Sequence, residues 1–217
     1  MRAWRSYRPE TALASRGRPG QSGGMRVYLA GPEVFLPDSE AIGVRKIEVC
    51  RRHGLTGVYP GDTALDLSGL APRVAGQRIY GCNRDLMKGC DAVIANMTPF
   101  RGPSMDVGTA FELGYFAALG RPVLGYSNTT RPFAGRVLAH FGLDPAPGDG
   151  GPPARDPQGL AIEAFDMADN LMLDGAILDA GFEVVTRRVD DPAQLYRDLA
   201  GFEACTEALA HRRTKTD

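Results

Sequence analysis

Two acidic side chains, Asp106 and Glu112, lie in a stretch that is otherwise apolar and rich in glycine, residues 105–126. A carboxylate among aromatic and aliphatic neighbours is poorly solvated, so it must be paired, protonated or used in chemistry. On a helix, the six-residue spacing turns Glu112 about 240° away from Asp106. Both can still reach one ligand at the N-terminal end of the helix. The alternatives are that Asp106 is an N-cap and that Glu112 faces solvent.

Two further residues could act with this pair. Tyr28 lies near the carboxyl end of a predicted strand, where a phenol can donate a hydrogen bond to a buried carboxylate and fix its orientation. Asp85 belongs to the helix that precedes a later strand. Taken alone, Tyr28 is also typical of an ordinary strand aromatic, and Asp85 of an exposed helix carboxylate.

The elements that must position these side chains alternate between strand and helix. Hydrophobic periodicity with Gly and Pro signals predicts strands over 26–32, 55–59, 91–97, 122–126 and 182–186, and helices over 37–53, 72–89, 160–178 and 191–210. A further helix contains Asp106 and Glu112 and ends at Gly120. This pattern predicts an α/β sandwich with a mostly parallel sheet of about five strands and helices on both faces. Ligand then belongs beyond the carboxyl ends of the strands, where the backbone at Gly31 can approach it closely.

Composition narrows the class of protein. With 217 residues, 43% of them hydrophobic, and 25 Lys and Arg against 26 Asp and Glu, the chain predicts one globular domain over 25–210 and no nucleic-acid polymer as partner. Its four cysteines show no zinc spacing, so we expect reduced thiols and no metal. No apolar run is long enough to span a membrane.

Three segments are expected outside the core. Residues 1–24 are rich in Arg, Ser and Gly and lack an apolar signal region, so we expect a disordered leader or an upstream start. Residues 144–159 are dense in Pro and Gly and predict a surface loop. Residues 211–217 are expected to form a solvated tail.

Four separated blocks of sequence match one known family. They are YLAGPEVF from Tyr28, NRDLMKGCDAVIANMTPFRG from Asn83, MDVGTAFELGYFAALGRPVL from Met105 and DNLML from Asp169. Together they resemble the nucleoside 2-deoxyribosyltransferase family. The resemblance implies a flavodoxin-like fold, and an enzyme that exchanges the base of a 2′-deoxyribonucleoside through a covalent deoxyribosyl ester on glutamate. It implies free nucleobases and deoxynucleosides as ligands, no cofactor, and a cytoplasmic role in nucleoside salvage.

The resemblance also implies a role for individual residues. Glu112 matches the nucleophile, Tyr28 the residue that orients it, Asp85 the acid/base at the departing base, and Asp106 a ligand of the sugar hydroxyls. Asn170 and Met172 match a segment donated by a neighbouring subunit over the sugar 5′ end, so a homodimer or larger oligomer with shared active sites is expected. The chemistry agrees, because one ionised carboxylate and one proton donor suffice to cleave a glycosidic bond. The loop at Asp62 is a further candidate for base binding.

Two rival functions remain open. A related N-glycosidase, acting on deoxynucleosides or their 5′-monophosphates, would use water as acceptor. The acidic Glu33 beside the first turn and Asn170 at the 5′ end favour nucleosides over nucleotides. A non-catalytic nucleotide-binding module would not need Tyr28, Asp85 and Glu112 to meet in one pocket. A dinucleotide-binding enzyme is disfavoured because no GxGxxG follows the first strand.

Overall fold

Five parallel strands form one sheet at the centre of the molecule. The computed structural model describes residues 24–61, 65–144 and 153–214. The strands are β1 (Arg26–Ala30), β2 (Thr56–Val58), β3 (Ala92–Asn96), β4 (Val123–Ser127) and β5 (Val185–Thr186). Their order across the sheet is β2-β1-β3-β4-β5, and every neighbouring pair is parallel. This is the flavodoxin-like strand order.

Helices cover both faces of the sheet, as the alternation of elements predicts. They are α1 (Ser39–Arg52), α2 (Pro72–Lys88), α3 (Val107–Ala118), α4 (Phe133–His140), α5 (Leu171–Asp179) and α6 (Ala200–Thr214). On one face α1 and α6 contribute Ile42 and Phe202 to a core cluster. On the other, α2, α3 and α5 contribute Met87, Phe116 and Ile177 to a second cluster. The result is a three-layer sandwich with an α/β fold.

The connections around β1 place a crevice at its carboxyl end. Successive side chains of β1 alternate between the faces, so Leu29 packs with the α1 and α6 cluster and Tyr28 with the α3 cluster. After β1 the chain continues into a 3-10 turn (Pro32–Phe35) and then α1 on one face, and after β3 it continues into α3 on the other. Neighbouring strands whose helices leave on opposite faces open a crevice between their loops.

Two predicted helices are shorter than expected, and the reason is the same in both. The helix predicted over 160–178 begins only at Leu171, because the Asp174 carboxylate accepts the backbone N–H groups of Ala168 and Asp169 and holds that turn in a non-helical conformation. The helix predicted over 191–210 begins at Ala200, whose N–H is accepted by Asp198. The sequence analysis also missed α4 and the 3-10 turn.

The ends of the chain differ from expectation in one respect. Residues 1–23 of the predicted leader, 145–152 of the predicted loop and 215–217 of the predicted tail lie outside the described residues. Residues 211–214, expected in a tail, instead continue α6. The Arg212 guanidinium there donates to the Ala180 carbonyl and lies 4.7 Å from the Phe182 ring centroid, which fixes this turn. Within the described ranges no helix is long and apolar enough to cross a membrane.

Candidate active site

Tyr28 and Glu112 meet on the α3 face of the sheet, beneath the crevice. The Tyr28 hydroxyl donates a 2.8 Å hydrogen bond to Glu112 Oε1, across 84 residues of sequence. Tyr28 is completely buried, and its ring stacks on that of Phe116 at a centroid distance of 6.0 Å. Because both the ring and the hydroxyl are fixed, Tyr28 can hold the Glu112 carboxylate in one orientation.

The helix α3 sets the height and direction of Glu112. Asp106 is its N-cap, and its Oδ2 accepts the Thr109 backbone N–H at 2.9 Å and the Thr109 hydroxyl at 3.1 Å. The buried side chains of Leu113 and Phe116 hold the helix against the sheet. Asp106 is therefore a cap, as its alternative interpretation predicts, and its other oxygen makes no hydrogen bond in the described part of the chain.

The electrostatics of the pair keep Glu112 close to its ionisation midpoint at neutral pH. Burial raises the pKa of Glu112 to about 7, the Tyr28 hydrogen bond opposes this rise, and the negative charge of Asp106 adds to it. Burial, followed by the charge and hydrogen bond of Glu112, raises the pKa of Tyr28. Tyr28 therefore remains a phenol and a hydrogen-bond donor wherever Glu112 ionises.

Asp85 is hydrogen-bonded to other partners than this pair. It is an exposed residue of α2, and its Oδ1 accepts hydrogen bonds from Lys88 Nζ at 3.2 Å and Arg84 Nε at 3.1 Å. These hydrogen bonds, that of Lys88 first, lower the pKa of Asp85. Asp85 makes no hydrogen bond to Tyr28 or Glu112. Two of the three residues proposed for chemistry are thus brought together, and the third is held by neighbouring cations.

The turn after β1 is built on a buried charge cluster that the sequence analysis did not anticipate. Glu33 is fully buried, and its Oε1 receives Lys46 Nζ at 2.6 Å, Asn96 Nδ2 at 2.8 Å and the Tyr126 hydroxyl at 2.9 Å. A Cβ on Gly31 would lie 1.9 Å from Glu33 Oε2, so glycine is required there by close approach. Lys46 pairs with Glu33 where it is buried, so the charge of Glu33 is no longer an argument against a phosphate beside this turn.

Asn170 and Met172 lie at the start of α5. Asn170 is the N-cap, with Oδ1 accepting the Met172 N–H at 3.1 Å and Nδ2 donating to Glu163 Oε1 at 2.8 Å. The Met172 side chain is 71% exposed. Asp62, the candidate for base binding, lies outside the described residues.

Among residues 24–61, 65–144 and 153–214, no group of three or more His, Cys, Asp or Glu side chains is placed to hold a metal ion.

A family model for nucleoside 2-deoxyribosyltransferases matches residues 27–172. The chain belongs to this family. The matched range includes Tyr28, Glu112 and Asn170. This is a family of pentosyltransferases that act on small nucleosides and nucleobases.

The chain is also similar to individual proteins. A Schizosaccharomyces pombe protein described as uncharacterized is 34% identical over 185 residues, covering 80% of this chain and 88% of the relative. The solved 2-desoxiribosyltransferase from Leishmania mexicana is 32% identical, with a TM-score of 0.54 over 79% of this chain and 94% of that one. A conserved protein from Enterococcus faecalis, 17% identical with a TM-score of 0.51 over 88% of this chain and 99% of that one, shares the fold.

Proposed function

We propose that the protein is a nucleoside 2-deoxyribosyltransferase that exchanges the base of 2′-deoxyribonucleosides through a covalent deoxyribosyl ester on Glu112. The observation that carries this proposal is the hydrogen bond of Tyr28 to Glu112 at the crevice of a family fold. The carboxylate is oriented by a phenol and has no cation paired with it in the described residues. A carboxylate in this state is available to attack an anomeric carbon.

The reaction proceeds by two displacements. In the first, Glu112 attacks C1′, the glycosidic bond breaks, and its electron pair leaves with the base, which takes a proton from Asp85. In the second, Asp85 removes a proton from an incoming base, whose nitrogen attacks C1′ and releases Glu112. Asp106, whose second oxygen is not used in capping α3, binds a sugar hydroxyl. The Gly31 backbone approaches the substrate from the β1 side.

The two carboxyl groups need opposite charge states at the start of the cycle. Glu112 must be ionised to attack, which its pKa of about 7 permits at neutral and alkaline pH. Asp85 must hold a proton, whereas Lys88 and Arg84 favour its ionised form. We expect the bound base to draw the proton from Asp85, because the leaving nitrogen accumulates negative charge as the glycosidic bond breaks.

A homodimer or larger oligomer with shared sites accounts for the apolar surface near the crevice. Val107 and Phe111 of α3 are 83% and 54% exposed, and Met172 at the start of α5 is 71% exposed. Val107 and Phe111 lie one turn apart on α3, and exposed large apolar side chains on one face of a helix are typical of an interface. In the proposed assembly Asn170 and Met172 of one subunit cover the sugar 5′ end in its neighbour. We place this activity in nucleoside salvage in the cytoplasm.

The decisive experiment follows the products. The protein is incubated with deoxyinosine and an excess of adenine or cytosine, and the mixture is separated by chromatography. A new deoxynucleoside is the expected result. Free deoxyribose alone would instead support the N-glycosidase. Because Glu33 is paired with Lys46, its charge is no longer an argument against a 5′-monophosphate substrate. Deoxyinosine monophosphate is therefore tested in parallel. No base release from either substrate would support a binding module.

Shared sites are tested by mixing two inactive variants. Glu112→Gln lacks the nucleophile but retains Asn170, and Asn170→Ala lacks the cover but retains Glu112. If Asn170 serves the neighbouring subunit, mixed oligomers contain one complete site and recover activity. Activity equal to the average of the two separate variants would show that each site is built from a single chain.

A further inference from the structure

A buried carboxylate between the crevice loop and α5 receives four hydrogen bonds. Asp169 is 1% exposed. Its Oδ1 accepts the Ser104 hydroxyl at 2.5 Å and the Asn170 N–H at 2.9 Å, and its Oδ2 accepts the Met105 N–H at 2.9 Å and Arg136 Nη2 at 3.1 Å. Each oxygen therefore joins the loop before α3 to another segment: Oδ1 to the turn before α5, and Oδ2 to α4.

Arg136 fixes this carboxylate from the other side. Arg136 is only 8% exposed, and each of its three guanidinium nitrogens donates a hydrogen bond. Nε donates to the Pro103 carbonyl at 2.7 Å, Nη1 to the Arg131 carbonyl at 2.7 Å and Nη2 to Asp169. A buried ion pair whose remaining groups are all hydrogen-bonded is rigid, because moving either partner leaves a desolvated charge unpaired. The loop, α4 and the turn before α5 therefore move as one block.

Each of the two proposed sugar ligands, Asp106 and Asn170, directly follows a residue of this block in the chain. Met105, whose N–H binds Asp169, directly precedes Asp106, the N-cap of α3. Asp169 itself directly precedes Asn170, the N-cap of α5. A shift of the Asp169 carboxylate therefore displaces both caps: Asp106, assigned to the sugar in this protomer's own crevice, and Asn170, assigned to the sugar 5′ end in a neighbouring subunit.

We propose that Asp169 is a positioning residue that fixes Asp106 and Asn170 relative to each other, so that binding of the sugar hydroxyls in a protomer's own site is coupled to binding of the sugar 5′ end in the site that this protomer completes. The inference rests on the proposed function and adds to it a residue that touches no substrate. Where Asn170 serves a neighbouring subunit, the block joins the site in a protomer's own crevice to the site that this protomer completes.

The test is a comparison of substrates as well as variants. Asp169→Asn and the milder Ser104→Ala, which leaves the Arg136 ion pair intact, are assayed with 2′-deoxyinosine and with 2′,5′-dideoxyinosine. A loosened Asn170 no longer distinguishes the two substrates. We expect KM for deoxyinosine to rise about tenfold in Asp169→Asn, with a smaller rise in Ser104→Ala, kcat changing less than KM, and the preference for the 5′-hydroxyl reduced in both.

Asp156→Asn is the matched control. Asp156 also accepts backbone N–H groups in a turn, those of Gln158 and Leu160, but contacts neither cap. It should keep both KM and the 5′-hydroxyl preference. The inference would be overturned if Ser104→Ala and folded Asp169→Asn both kept the wild-type KM and the wild-type 5′-hydroxyl preference. If Asp169→Asn does not fold, the values for Ser104→Ala alone decide. A wild-type chain that releases no base would instead overturn the proposed function and this inference with it.

Discussion

Two glutamates lie against opposite faces of the same sheet, and the charges around them differ. Glu33 accepts a phenol, Tyr126, and is also paired with the buried ammonium of Lys46. Glu112 accepts a phenol, Tyr28, but the neighbouring charge that shifts its pKa is that of another carboxylate, Asp106. A tyrosine hydroxyl that donates to a carboxylate is therefore common to both sites, whereas the compensating cation belongs only to Glu33.

This difference separates a carboxylate that supports the fold from one available for chemistry. The charge of Glu33 is matched where it is buried, and its two hydrogen bonds and its ion pair connect the turn after β1 to β3, β4 and α1. The charge of Glu112 is unmatched, which raises its pKa to about 7 and leaves its energy sensitive to an approaching positive centre. An oxocarbenium-like sugar would provide that centre. The native protein maintains Glu112 at a cost in stability.

The largest effect is expected from Glu112→Gln. Removing the nucleophile should lower base exchange at least about a thousandfold. The variant should also be more stable above neutral pH. Because folding raises the pKa of Glu112 from 4.5 to about 7, the stability of the native protein falls as pH rises through this window, and the variant does not share this fall.

Chemical denaturation at several pH values measures this difference. It should be absent below pH 4.5 and reach roughly 2–3 kcal/mol above pH 7. Exchange that survives in the Gln variant would remove Glu112 from the mechanism. A stability difference that does not depend on pH would show that the charge of Glu112 is compensated in the native protein.

The second effect concerns the other glutamate. Lys46→Met leaves Glu33 buried without its cation and should reduce the free energy of unfolding by about 3–5 kcal/mol. The double variant Glu33→Gln, Lys46→Met removes both charges and retains an acceptor for Asn96 and Tyr126, so it should recover most of that stability and the wild-type turnover. Denaturation curves and the exchange assay check this. A stable double variant without turnover would mean that the charge of Glu33 serves the site.

The strand and helix alternation could be predicted from sequence because it depends on local patterns. Apolar runs mark β1 and β3, and Gly54, which has a φ of 71°, follows the C-cap of α1, a position that favours glycine. The family blocks and the topology together placed Tyr28 beside Glu112. The late start of the helix predicted over 160–178 could not be predicted, because it depends on Asp174 accepting backbone N–H groups rather than facing solvent.

The buried ion pairs were missed for a different reason. Lys46 shares a helix stripe with Ile42 and Val49, four residues earlier and three later, which indicates that it points inward. Its partner Glu33 comes from another element, and Arg136 and Asp169 are 33 residues apart. Sequence spacing within one helix shows that a charge is buried, but it does not show which distant residue neutralises it.

A third effect, on Asp85, asks whether cations always mark a structural carboxylate. Asp85 is paired with the cations Lys88 and Arg84, as Glu33 is with Lys46, but Asp85 is exposed and is proposed as the acid/base. Asp85→Asn should slow base release about a hundredfold, because the departing base loses its proton donor. Lys88→Gln, which removes a cation and keeps the carboxyl, should leave turnover within about twofold of wild type, since an exposed ion pair contributes little. Steady-state rates with deoxyinosine compare the two. An unchanged rate in Asp85→Asn would make Asp85 a surface residue and require another proton donor.

The smallest effect separates the two tyrosines. In Tyr28→Phe the hydrogen bond that lowers the pKa of Glu112 is lost, so the pKa should rise and the acid limb of kcat/KM should move about one pH unit toward alkaline values. The rate should fall several-fold at pH 7 and approach that of the wild type at pH 9.

Tyr126→Phe is the matched control, because the hydroxyl that this variant loses donates to Glu33 and not to Glu112. It should lower stability by about 1 kcal/mol and leave the pH profile in place. Equal shifts in both variants would show that the effect is general loosening of the sheet, whereas a shift confined to Tyr28→Phe ties the phenol to the ionisation of Glu112.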